Sequence, residues 1–200
     1  MRAVLYEIHR IFFFDQRTFR LFKKIALIFA VFVGFAGSVS SQPARIEAAF
    51  SPGGGAQALV IKTIEAARQE ISVLAYSFTS APVAEALAKA SKRGIRVQLV
   101  ADGESNTSGG GAAKARAAMS ALVSAGVSVR LVDAFAIHHD KVVIVDGRHV
   151  QTGSFNYSSS AERRNSENVL VVWDDPALAR TYLTHFKRNW DLGKPYVTNY

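Results

Sequence analysis

No cysteine occurs in the 200 residues, which excludes disulfide cross-links and any zinc site built on thiolates. An exported protein without cysteine needs no oxidative folding, so the absence is compatible with a periplasm without identifying one. Also missing are an H-E-x-x-H pair, an aspartate cluster and a Walker loop, the sequence marks of zinc, calcium and nucleotide sites. The triplets Gly53-Gly-Gly55 and Gly109-Gly-Gly111 lack the lysine and context of a phosphate loop and read as flexible connectors. No internal repeat is visible. No apolar run reaches the ~20 residues of a membrane helix. Ile25–Ala36 spans 12 residues, or 15 if counted through Val39. Charged residues make up 20% and hydrophobic residues 49%, a balance that supports a packed core and excludes a disordered or collagen-like chain.

The first forty residues read as an address and not as part of the fold. They hold Arg2, Arg10, Arg17, Arg20, Lys23 and Lys24 against Glu7 and Asp15, and so carry half of the net charge of +8. A basic flank, the apolar run and the small or polar residues Gly37–Ser41 form a secretory signal pattern with cleavage near Ser40; a retained anchor is the alternative. Residues 1–41 are therefore set apart as a signal peptide or N-terminal membrane anchor, and 42–200 as the working domain. The expected location is periplasmic or secreted, or membrane-anchored through residues 25–39. The remaining chain is only mildly basic, which permits a polyanionic partner without proving one.

From Ile46 onward, short apolar runs alternate with helical patterns. Strands are expected at 46–50, 71–76, 95–101, 127–132, 141–145, 149–152 and 169–173, with helices at 56–69, 82–92, 112–125 and 176–190. Gly103–Gly111 reads as a flexible loop. Asp146-Gly147 is a strong hairpin signal between two of the strands. Strands separated by helices argue for an α/β layered domain.

The chemistry concentrates between His139 and Asn156. His139, Lys141, Asp146, Gly153, Ser154 and Asn156 fit the spacing H-x-K-x4-D-x6-G-S-x-N at every fixed position. His139 and Lys141 are two apart on an extended segment, so they share a face. The hairpin folds Ser154 and Asn156 back beside them. A neutral imidazole can attack phosphorus, and an ammonium and an amide can stabilise its non-bridging oxygens. His138 projects from the other face and reads as a flanking residue. His149 within the hairpin and His185 on the last helix have no ligand-spaced company.

This segment resembles the HKD motif of the phospholipase D superfamily. Ala75-Tyr-Ser-Phe-Thr79 before it and Arg163-Arg-Asn-Ser-Glu167-Asn168 after it resemble the small bacterial endonuclease branch. The resemblance runs from about Ile46 to Trp190. It implies a phospholipase D-like layered α/β sandwich, a mixed β-sheet flanked by helices. It implies His139 as nucleophile, Lys141 and Asn156 as phosphate binders, Ser154 as a supporting hydroxyl and Glu167 as the acid that orients the imidazole. Asp146, at the turn, and Gly153 are read as structural. The expected enzyme is a metal-independent phosphodiesterase without a cofactor, an endonuclease hydrolysing DNA, or RNA as well, through a phosphohistidine on His139. The alternative is a phospholipase D acting on phospholipid head groups. A nucleic-acid-binding module with a dead site is a third reading, against which the intact residue set argues.

In-line displacement needs an attacking group and a proton donor on opposite sides of the phosphorus. Superfamily members meet this need with two HKD motifs. This chain carries one, so a homodimer with a composite active site across a two-fold axis is expected.

Overall fold

The run Lys141–Val145 is buried at every position, as expected of a strand with neighbours on both edges and covered faces. It lies inside the sheet of the computed structural model, which describes residues 44–198. The export segment expected over residues 1–41 lies outside the described residues. The strands are β1 (Arg45–Ser51), β2 (Glu70–Ala75), β3 (Arg96–Asp102), β4 (Ser128–Val132), β5 (Lys141–Val145), β6 (His149–Gly153), β7 (Glu167–Trp173) and β8 (Lys194–Pro195). The helices are α1 (Ala56–Glu65), α2 (Ala81–Lys92), α3 (Gly103–Thr107), α4 (Ala112–Ser124), α5 (Ser159–Arg163) and α6 (Pro176–Leu192).

The strands form one eight-stranded sheet in the order β1-β7-β6-β5-β2-β3-β4-β8. β2, β3 and β4 run parallel, whereas β5, β6, β7 and β1 pair antiparallel. The fold is thus an α/β layered sandwich with a mixed sheet. Strand alternation divides the core between the two faces. Val73, Ala75, Val143 and Val145 pack beneath α1, α2 and α4, while Leu74, Val142, Ile144 and Val150 pack beneath Ala179 and Phe186 of α6. Each fully buried Val or Ile contributes on the order of 1.5–3 kcal/mol. Among the described residues no helix is long and apolar enough to cross a membrane.

Two local departures from the sequence expectation have physical causes. Gly103–Thr107 is a helical turn and not a loop. The Asp102 carboxylate caps it by accepting from the Ser105 N–H at 2.8 Å. Buried Asn106 then ties it down, accepting from the Phe78 N–H at 2.9 Å and donating to the Tyr76 and Asp102 carbonyls at 2.6 and 2.7 Å. The first helix stops at Glu65, because the following stretch turns to meet Asp146.

Asp146 sits in the hairpin turn, with φ of 52°, followed by Gly147 with φ of 60°. The Arg148 N–H closes the turn on the Val145 carbonyl at 3.0 Å. The Asp146 carboxylate accepts from the backbone N–H groups of Arg68, Gln69 and Glu70 at 2.8–2.9 Å. It thereby fastens the hairpin to the start of β2. Burial raises its pKa, but the three N–H donors outweigh that and hold it below the usual carboxylate range. A depressed folded-state pKa gives stability that is present above the unfolded value and lost as pH falls through the folded one. Asp146→Ala is expected to cost about 1–3 kcal/mol. Urea unfolding of the variant checks this, and the difference from wild type should shrink as the medium is acidified below pH ~4.

Candidate active site

The antiparallel order brings three strand ends to one edge of the sheet. The start of β5 lies beside the end of β6, which lies beside the start of β7. His139, Lys141, Ser154, Asn156 and Glu167 are therefore gathered at this edge, and Tyr76, just past the end of β2, joins them. Asp146 lies at the opposite end of β5 and takes no part.

His139 is exposed, with its ring 4.7 Å from that of Tyr76. Lys141 is buried. Its Nζ donates to the His139 carbonyl at 2.8 Å and lies 5.0 Å from the centre of the Tyr76 ring. Burial pushes the Lys141 ammonium below its usual pKa, and the nearby carboxylates of Asp140 and Glu167 push back. Strand alternation thus sets His139 and Lys141 on one face, with Tyr76 supporting both.

Gly153 makes the corner after β6 possible. Its φ is 150°, and a Cβ there would stand 2.3 Å from the Asn168 carbonyl oxygen. That close approach lets the Ser154 and Phe155 N–H groups share this oxygen at 3.1 and 3.3 Å. Ser154 Oγ donates to Glu167 Oε2 at 2.6 Å and accepts from the Asn168 N–H at 3.1 Å. The other Glu167 oxygen accepts from the Asn165 amide at 2.9 Å. Neither bond reaches His139, so in this arrangement Glu167 acts on Ser154, Asn165 and the field around Lys141. The Asn156 amide oxygen is buried without a hydrogen-bond partner, so the protein's own network does not satisfy it.

Two groups escaped the sequence reading. Tyr76 was visible only as part of a resembling segment. His185, seemingly alone on the last helix, reaches Asp140 across the other face of the sheet, where His138 also lies. Among the described residues no group of three or more His, Asp or Glu side chains is placed to hold a metal ion. A cleft of about 750 Å³ between α2 and α4, walled by alanines, holds none of the motif residues.

Residues 60–190 match the family described as "Cardiolipin synthase, PLD-like domain". A solved structure described as a phospholipase D family member, Nuc from Salmonella typhimurium, superposes with a TM-score of 0.73 at 40% identity, over 76% of this chain and 98% of that one. A protein named phospholipase D from Rickettsia conorii is 32% identical over 73% of this chain and 68% of its own length. A protein named mitochondrial cardiolipin hydrolase from Danio rerio is 31% identical over 68% of this chain, which spans 57% of that relative.

Proposed function

The chain belongs to the phospholipase D superfamily of phosphodiester hydrolases, and from that premise we propose that it is a metal-independent endonuclease acting on DNA, with RNA as a second substrate. The observation that carries the proposal is the gathering of His139, Lys141, Ser154, Asn156 and Glu167 at one open sheet edge. An exposed nucleophile at an edge suits a long polymer passing across it. Arg163 and Lys114, offset in part by Glu162, line a separate cleft of about 560 Å³ that includes Gly53, Ser80 and Ser159.

In this proposal a neutral His139 nitrogen attacks phosphorus, the bond to the leaving oxygen breaks, and a second imidazole gives that oxygen its proton. Water then attacks the phosphohistidine after losing a proton to the second imidazole, which releases a phosphomonoester and frees His139. Lys141 and Asn156 hold the non-bridging oxygens throughout. The second imidazole is the partner's His139 in a homodimer. Export through the N-terminal segment is part of the same proposal.

The purified protein, given plasmid DNA, RNA and phosphatidylcholine vesicles in excess EDTA, tests this reading. Cleavage of DNA undiminished by the chelator is expected, without head-group release. Head-group release with intact DNA would replace the nuclease by a phospholipase, the activity for which the Rickettsia conorii relative is named. Loss of DNA cleavage in EDTA, restored by magnesium, would remove the metal-free mechanism.

A further inference from the structure

Residues 138 and 140 are anchored on the face of the sheet opposite to His139 and Lys141. The His138 backbone N–H donates to Asp102 Oδ2 at 2.7 Å, and the His138 ring is buried, with Nδ1 3.4 Å from the Ala75 carbonyl. The Asp140 carbonyl accepts from the Tyr76 N–H at 2.8 Å. The Asp140 carboxylate turns toward α6, where His185 Nε2 meets Oδ2 at 2.8 Å; His138 Nε2 stands 3.2 Å from the same oxygen without hydrogen-bond alignment. Arg188 Nη2 lies 3.2 Å from His185 Nδ1. As Arg can only donate, Nδ1 accepts, which leaves Nε2–H to face Asp140 at the shorter distance, with the Asn189 amide nitrogen also 3.2 Å from Nε2. Asn189, fully buried, donates to the His185 carbonyl at 3.1 Å and completes the clamp.

The side chains of His138, Asp140 and His185 lie on the face away from the site, yet they hold the backbone from which His139 projects. The His139 side chain itself is exposed, with its ring against that of Tyr76. We propose that Asp140 and His185 are positioning residues, a clamp from α6 that sets the 138–141 segment so that His139 and Lys141 reach the phosphate in register. The inference rests on the proposed role of His139. Asp140 has a second effect, through charge. His138 first, against the opposing effect of burial, and His185 next hold its pKa down to about 2, so it is ionised wherever the enzyme works. Its charge supports the Lys141 ammonium, which also faces Glu167 on β7, Tyr76 beyond β2 and the His139 of its own segment. Asp140 in turn is faced by His138 and, from α6, by His185, with Arg188 behind it.

The test compares Asp140→Asn, His185→Leu, His185→Gln and His139→Ala with wild type, using bis(p-nitrophenyl) phosphate across a pH range at folded concentrations set by circular dichroism. Asp140→Asn and His185→Leu should lower kcat roughly 10- to 100-fold with KM within about twofold, the scale of a small misplacement of a reacting group. His185→Gln, which still offers an N–H to the carboxylate, should recover most of the loss. Asp140→Asn alone should move the alkaline limb of the profile to lower pH, because Lys141 loses the carboxylate that opposes its burial. Wild-type kcat and an unmoved limb in the folded variants would overturn the inference. So would a loss that only tracks the folded fraction, or an unmoved limb with His185→Gln no better than His185→Leu. His139→Ala separates the two failures. If it is inert while the clamp variants are normal, only the clamp is lost; if it turns over normally, the functional reading falls and the clamp with it.

Discussion

Replacing His139 with alanine is expected to lower turnover by on the order of 10⁴-fold or more, because under the proposed mechanism the variant loses the covalent nucleophile and not merely a contact to substrate. The proper comparison is its neighbour. His138 is buried, so His138→Gln, which fills most of the space and keeps a donor, is preferable to alanine. It should stay within about tenfold of wild type, since its side chain lies on the opposite face of the strand. Single-turnover kinetics decide the point. With a fast-reacting diester the wild type should accumulate an acid-labile phosphorylated enzyme, and His139→Ala should not. Equal losses in both variants would mean that the two imidazoles act together. A phosphorylated enzyme surviving in His139→Ala would place the nucleophile elsewhere.

The elements that were legible from sequence are those whose cause is local. β5 reads as a buried strand because Val142–Val145 is uninterrupted and Asp146-Gly147 can adopt only a few turns. His139 and Lys141 share a face because strand alternation leaves no other choice. What stayed hidden depends on distant residues meeting. The turn at Gly103–Thr107 looks like a flexible loop until Asn106 finds the Phe78 N–H and two carbonyls. Likewise, nothing within helical reach of His185 announces Asp140, 45 positions earlier. The short α5 and the two-residue β8 carry too few residues for any periodicity to appear. Glu167 shows the limit of a motif. Its position follows from resemblance, but its carboxylate partners, Ser154 and Asn165, could be read only from the folded chain.

Mixing wild type with an excess of inactive His139→Ala subunits should lower activity as the square of the wild-type fraction, at fixed total concentration after co-refolding. These 200 residues hold one HKD motif. The attacking nitrogen and the acid that protonates the leaving oxygen must stand on opposite sides of the phosphorus. His138 cannot serve as the acid from the buried opposite face, and His185 is engaged with Asp140 there as well. In the proposed homodimer a two-fold axis would supply the missing imidazole as the partner's His139 at no further sequence cost. The surface offers a means of association close to the site. On the outer strands, Ile46 is 62% and Phe50 60% exposed, and Leu170 stands at 36%. The β1–β7 register places them on one face, with Phe50 opposite Asn168; the Glu167 side chain, one residue earlier on β7, projects from the other face. Such a strip is costly to leave in water, and a second copy of the chain is one surface that would cover it. In a composite site only wild-type pairs work, so half wild-type subunits leave a quarter of the activity. A linear fall, with half the subunits leaving half the activity, would mean that each chain completes its own site, and the shared-histidine mechanism would be abandoned.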